Sequence, residues 1–217
     1  MGMSYKVILE IRYNQVLEFS DKTFISSLIN YLGTLGYQVN FFNDNIDAVN
    51  SKIKHHINMG ANRCGIDFNT KELDYTSFKE IIENLTGISK LLNFNFLNRI
   101  GLRVTTLNSY TTISEANKKI TSVLNIENDK LNSIKSSCEV CFLSFAVKKL
   151  DHNIKLSILP NQVNISVNGL DEQINTLNLD IDVSVTNTNG NANSLEKKYR
   201  LFLEEIKEYN KDLNEIF

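Results

Sequence analysis

Apolar and polar residues alternate strictly in two segments that lie far apart in the chain. One is Arg99-Ile100-Gly101-Leu102-Arg103-Val104, the other Leu179-Asp180-Ile181-Asp182-Val183. Period-two alternation predicts a β-strand with one face in a core and the other turned outward. The outward face of the first strand carries Arg99 and Arg103, and that of the second carries Asp180 and Asp182. Tyr5, Val7, Leu9, Ile11 and Tyr13 set out an earlier strand in the same way. Further strands are expected over residues 37–42, 64–68, 94–107, 139–149, 154–159, 163–168 and 176–185. Residues 46–59 keep no clear period and read as strand-like or irregular.

Four other stretches repeat their apolar residues at three and four, the spacing of an amphipathic helix. The first has Phe24, Ile25, Leu28, Ile29 and Leu32, with Ser20 as its N-cap and an end near Gly33 or Gly36. The second has Phe78, Ile81, Ile82, Leu85 and Ile88 behind Asp74–Ser77. The third has Ala116, Ile120, Val123 and Leu124, with a short helix through Leu131 and Ile134 after it. The last is the clearest, with Leu195, Tyr199, Phe202, Leu203, Ile206, Leu213 and Phe217 on one face. The order of elements predicts an α+β protein with two mainly antiparallel sheets, each carrying helices packed on one side. The halves are residues 1–111 and residues 112–217, either separate or joined as one compact unit. Their similar element order fits a diverged duplication.

Composition narrows the functions. The net charge is −2, and lysines and arginines form no run, so nucleic acid and acidic lipid are not expected partners. No apolar stretch is long enough to cross a bilayer, and residues 1–6 lack the apolar core of a signal peptide, which points to a cytoplasmic protein. The three cysteines, Cys64, Cys138 and Cys141, are an odd number and are expected to be reduced. Cys138 and Cys141 form a C-x-x-C in a strand-like context, which would turn the thiols to opposite faces and allow neither zinc nor a disulfide. His55 and His56 are adjacent and diverge, His152 falls in a turn, and all three are expected at the surface. Phe41, Phe42, Phe94 and Phe96 are expected in the core, because a stacking platform for nucleic acid would need more basic neighbours. No phosphate-binding glycine loop and no serine elbow is present. No catalytic residue, metal ligand or cofactor is assigned.

Arg99, Arg103, Asp180 and Asp182 are the candidate site. Two arginine forks can hold two carboxylates if the strands are neighbours, which makes an ion-pair ladder the simplest reading. An arginine-lined pocket for a phosphate or carboxylate is the second. A metal site on Asp180 and Asp182, with Glu10 or Asp67 as a third oxygen ligand, is the third.

The residues also carry a family resemblance. Asp74-Tyr75-Thr76-Ser77-Phe78 opens a helix, Arg99–Val104 reads R-I-G-L-R-V, and Leu179–Asp182 is followed by the helix from Leu195 to Phe217. In these motifs, their order and their spacing, the chain resembles a sporadically distributed, uncharacterised bacterial family. The resemblance implies mobile or defence-associated genes and no assigned activity. The function expected is a non-enzymatic protein-interaction or regulatory component of a bacterial conflict or defence system, with a toxin, effector or phage component as partner. A sensor of a small anion near Arg99 and Arg103 is the alternative, and a metal-dependent hydrolase the third. The last helix should fold back on its own sheet; Phe202, Ile206, Leu213 and Phe217 are also the candidate docking face for a partner.

Overall fold

A computed structural model describes residues 4–13, 21–42, 44–92, 96–123, 142–167, 170–189 and 192–217, and in it the alternating segments all join one sheet. The strands are β1 (Tyr5–Tyr13), β2 (Gln38–Phe42), β3 (Asn45–Asn50), β4 (His55–Gly60), β5 (Arg63–Thr70), β6 (Phe96–Tyr110), β7 (Leu143–Lys148), β8 (Asn153–Val167) and β9 (Leu170–Asn189). Their order is β2-β3-β4-β5-β1-β6-β9-β8-β7, and every neighbouring pair is antiparallel.

This corrects the expectation of two sheets. β1 and β6 pair along their length, from Tyr5 opposite Thr106 to Tyr13 opposite Leu97, with a shift at the far end. β1 is also bonded to β5 and β6 to β9, so two meanders share a central pair and no edge separates the halves. In each half a strand leads to a helix, a meander returns to pair with that strand, and a second helix follows.

The described helices are α1 (Lys22–Thr34), α2 (Tyr75–Leu91), α3 (Ile113–Val123) and α4 (Ala192–Ile216). Asp21, not Ser20, caps α1: its carboxylate accepts from the N–H groups of Thr23 and Phe24 at 2.9 and 3.1 Å. Asp74 caps α2 by accepting from Ser77 N–H at 2.7 Å. The helices lie on one face of the sheet. There Val7, Leu9, Ile11, Ile100, Leu102, Val104, Ile181 and Val183 are buried beneath Leu28, Phe78, Ile82, Leu85, Ile120 and Phe202. No described helix covers the opposite face.

The stripe of α4 is part of this core, which corrects its reading as a docking face. Phe202, Ile206 and Leu213 are buried, and Phe217 is partly buried with its carbonyl accepting from Tyr110 Oη at 3.2 Å. α4 packs on β6, β9 and α2, and Tyr199 Oη donates to the carbonyl of Glu10 on β1 at 3.1 Å. A partner could reach those side chains only by displacing the helix from its own sheet.

Residues 46–59 form most of the β3–β4 hairpin. Their pattern was obscured because Asn50 and His55 occupy core positions beside Ile46, Ala48, Ile57 and Met59. His55 is therefore buried, with its ring 5.4 Å from that of Phe68, and His152 is buried too, 6.3 Å from Phe202. Both depart from the exposed positions expected. Phe41, Phe42 and Phe96 depart the other way: all three are exposed. Phe94, Cys138, Cys141 and the expected helix through Leu131 and Ile134 lie outside the described residues. Cys64 is buried in the core.

Candidate functional site

The face that no described helix covers is built by alternation. Odd positions of β1 enter the core, so Glu10 and Arg12 point the other way; in β6 the even positions enter it, leaving Arg99, Gly101 and Arg103 outward. The β6–β9 register sets Arg103 opposite Asp182 and Thr105 opposite Asp180, while β1 sets Glu10 opposite Gly101. The two sequence-predicted charge pairs thus meet on adjacent strands.

The pairing is diagonal. Arg99 sits opposite Thr186 in register, yet its guanidinium reaches over Gly101. Nη2 donates to both oxygens of Asp182 at 2.6 and 2.8 Å, and Nη1 donates to Glu10 Oε1 at 2.6 Å. Arg12 Nε donates to the same Glu10 oxygen at 2.8 Å. Arg103 Nε donates to Asp180 Oδ1 at 2.7 Å, and Thr105 Oγ1 donates to it at 3.0 Å. Those contacts raise the Arg103 pKa, with the Asp180 hydrogen bond the main cause. Charge-assisted bonds of this kind hold the strands' outward side chains in a set pattern.

The two arginines differ in setting. The Arg99 side chain is 20% exposed and spans three strands, whereas that of Arg103 is 53% exposed and touches one carboxylate. Glu10, named from sequence only as a possible metal ligand, is instead the anion between Arg12 and Arg99. Asp67, on β5, lies three strand positions from β9 across the sheet, paired with His56, so it does not join Asp180 and Asp182. Among the described residues no three His, Cys, Asp or Glu side chains converge as metal ligands.

A second polar cluster escaped the sequence reading. His56 on β4 stands between Asp47 on β3 and Asp67 on β5: Nδ1 is 2.8 Å from Asp67 Oδ1, and Nε2 contacts Asp47 Oδ1. The hydrogen bond with Asp47 is the largest cause of a raised His56 pKa, and the Asp67 charge adds to it. A neutral imidazole has one N–H and serves one carboxylate; the imidazolium serves both. The available signal was the outward parity of three short strands, hidden because two of them were not resolved as strands from sequence. The neighbouring His55 behaves oppositely, since burial lowers its pKa.

A third cluster ties the β7–β8 turn to α4. Lys149 Nζ donates to Glu205 Oε1 at 2.7 Å, His152 Nε2 stands 3.4 Å from the same oxygen, and His152 Nδ1 is 2.6 Å from Asp151 Oδ1. It lies at the helix layer and fastens the chain between two strands to the terminal helix.

No family model matches the chain, and no curated protein matches it. Its function is therefore read from this geometry.

Proposed function

We propose that the protein is a non-enzymatic interaction module that presents to a protein partner the sheet face that no described helix covers. The observation that carries this reading is the face itself. It is broad, no described helix covers it, and its central charges are locked by Arg99 bridging Glu10 and Asp182 and by Arg103 on Asp180. A fixed array of alternating charge favours the partner with the complementary array and repels others, which is how charged surfaces earn specificity. The anion-sensor reading at Arg99 and Arg103 is weakened because Arg99 already serves two carboxylates and Arg103 a third. The hydrolase reading lacks convergent carboxylates among the described residues.

The family resemblance of the R-I-G-L-R strand extends the proposal: the module works in a bacterial conflict or defence system, and its partner is a toxin, effector or phage component. Co-expression with the products of neighbouring genes, followed by affinity capture, tests it. One product should be retained by the wild type and by a Lys211→Glu variant on α4, and lost with Arg103→Glu. Loss with Lys211→Glu and retention with Arg103→Glu would move the interface to the helices.

A further inference from the structure

On the same outward face, toward the β7 edge, the charge balance changes. A depression of about 270 Å³ lies between β7, β8 and β9, and its walls include Arg99, Lys148, Asn153, Lys155, Asp182 and Ser184. Lys148 stands opposite Asn153, and Lys155 is two residues further along β8, so the two lysines are diagonal neighbours on adjacent strands. Such positions are about 7–8 Å apart, close enough for like charges to repel.

The register also sets Lys155 opposite Asp182, the natural partner for its ammonium. Asp182 is instead engaged by Arg99, whose Nη2 donates to both its oxygens. Lys148 and Lys155 are exposed and make no ion pair among the described residues. Ser184 stands opposite Asn153, which brings a hydroxyl and an amide to the same floor. The depression thus gathers two ammonium groups, an amide and a hydroxyl beside the Arg99–Asp182 pair. Its lining carries three cations, Arg99, Lys148 and Lys155, against one carboxylate, Asp182.

We infer that this depression binds a phosphate group. Two point-charge ammonium groups with two neutral donors, spread over three strands, suit a tetrahedral oxyanion, whereas a planar carboxylate is matched by a guanidinium fork such as the one Arg99 gives Asp182. Ala146, opposite Lys155 on this face, supplies a small apolar side wall, which gives room for the organic part of a small phosphomonoester beside the phosphate. The site is separate from the ion-pair pattern of the central strands and shares only the Arg99–Asp182 pair with it.

The test is titration of the isotope-labelled full chain with inorganic phosphate, with glycerol phosphate and with citrate, read by amide and lysine ammonium NMR shifts and by calorimetry. Saturable shifts confined to residues 146–155 and 182–184 are expected, with affinity falling as salt rises. A Lys148→Gln, Lys155→Gln double variant should keep the wild-type melting temperature and bind at least about tenfold more weakly, which corresponds to a combined loss on the order of 1.4 kcal/mol or more. Lys6→Gln, on β1, should bind as the wild type does. Tighter binding of glycerol phosphate than of phosphate assigns the apolar wall to an organic body; equal binding assigns recognition to the phosphate alone. Citrate binding as tightly as phosphate would overturn the phosphate assignment. Unsaturable shifts spread over the sheet, or full binding by the double variant, would overturn the site.

Discussion

The guanidinium of Arg99 lies across the backbone of Gly101, two residues ahead of it on the same strand. A Cβ at residue 101 would come within 2.7 Å of Arg99 Cζ. The glycine is therefore required by the arginine's path, and the path lets one side chain on β6 reach both flanking strands. Gly101→Ala should push Arg99 off Glu10 and Asp182 and cost about 1–3 kcal/mol, the penalty for leaving partly buried charged groups without partners. In an Arg99→Ala background the same change should be neutral or stabilising, because alanine restricts the unfolded chain more than glycine does. Urea unfolding of the four proteins in this cycle measures the coupling. Equal costs in both backgrounds would show that the two residues do not interact.

Exposure separates the two arginines. Arg103→Ala should cost about 0–1 kcal/mol, because its side chain is more than half exposed and water screens its ion pair. Arg99→Ala should cost more, on the order of 1–3 kcal/mol, since it takes the arginine from Asp182 and leaves Glu10 with Arg12 alone on a less accessible part of the face. Chemical denaturation of both variants gives the ranking, and a larger loss for Arg103→Ala would contradict it.

His56 makes part of the stability depend on pH. Its pKa is raised in the folded protein, first by the hydrogen bond with Asp47, so folding binds its proton more tightly. The stabilisation is complete below the unfolded value of about 6.5 and disappears as pH rises through the higher folded value. His55 has the opposite sign: burial lowers its pKa, so its contribution is present above about 6.5 and is lost as pH falls through the lower folded value. The stability gap between wild type and His56→Gln should therefore be largest in mild acid and shrink toward pH 8. A gap that widened with pH would contradict the doubly bonded imidazolium.

The terminal helix is a structural member of the sheet's core. Phe202 is fully buried against β-strand side chains and Tyr199, so Phe202→Ala should cost about 3–5 kcal/mol. Removing residues 194–217 should leave insoluble or molten protein, because the sheet would lose the side chains that cover its inner face. A soluble truncation with an unchanged melting temperature would restore α4 as a detachable docking element.

Thiol chemistry gives an independent check on the core. Burial pushes the Cys64 pKa up to about 12, so its thiolate is almost absent at neutral pH. In a Cys138→Ser, Cys141→Ser background, Cys64 should resist a thiol reagent in buffer and react at once in denaturant. Fast reaction under native conditions would show that the β1–β5 region opens locally.

The chain itself determined what is local. Alternation in Arg99–Val104 and Leu179–Val183 set the faces of those strands, and therefore which four charges stand outward, because side-chain direction in a strand follows from backbone geometry alone. The spacing of Leu195 to Phe217 set the apolar stripe of α4 in the same way. The tertiary structure decided everything that depends on which strands are neighbours. The β1–β6 pairing turned two expected sheets into one, since hydrogen bonds between distant segments leave no periodic trace in either segment. It also brought Glu10 to Arg99, 89 residues apart, and set His56 between Asp47 and Asp67. Buried polar residues such as Asn50, His55 and His152 masked the core positions they occupy, because a polar side chain buried among apolar neighbours looks, in sequence, like one facing water.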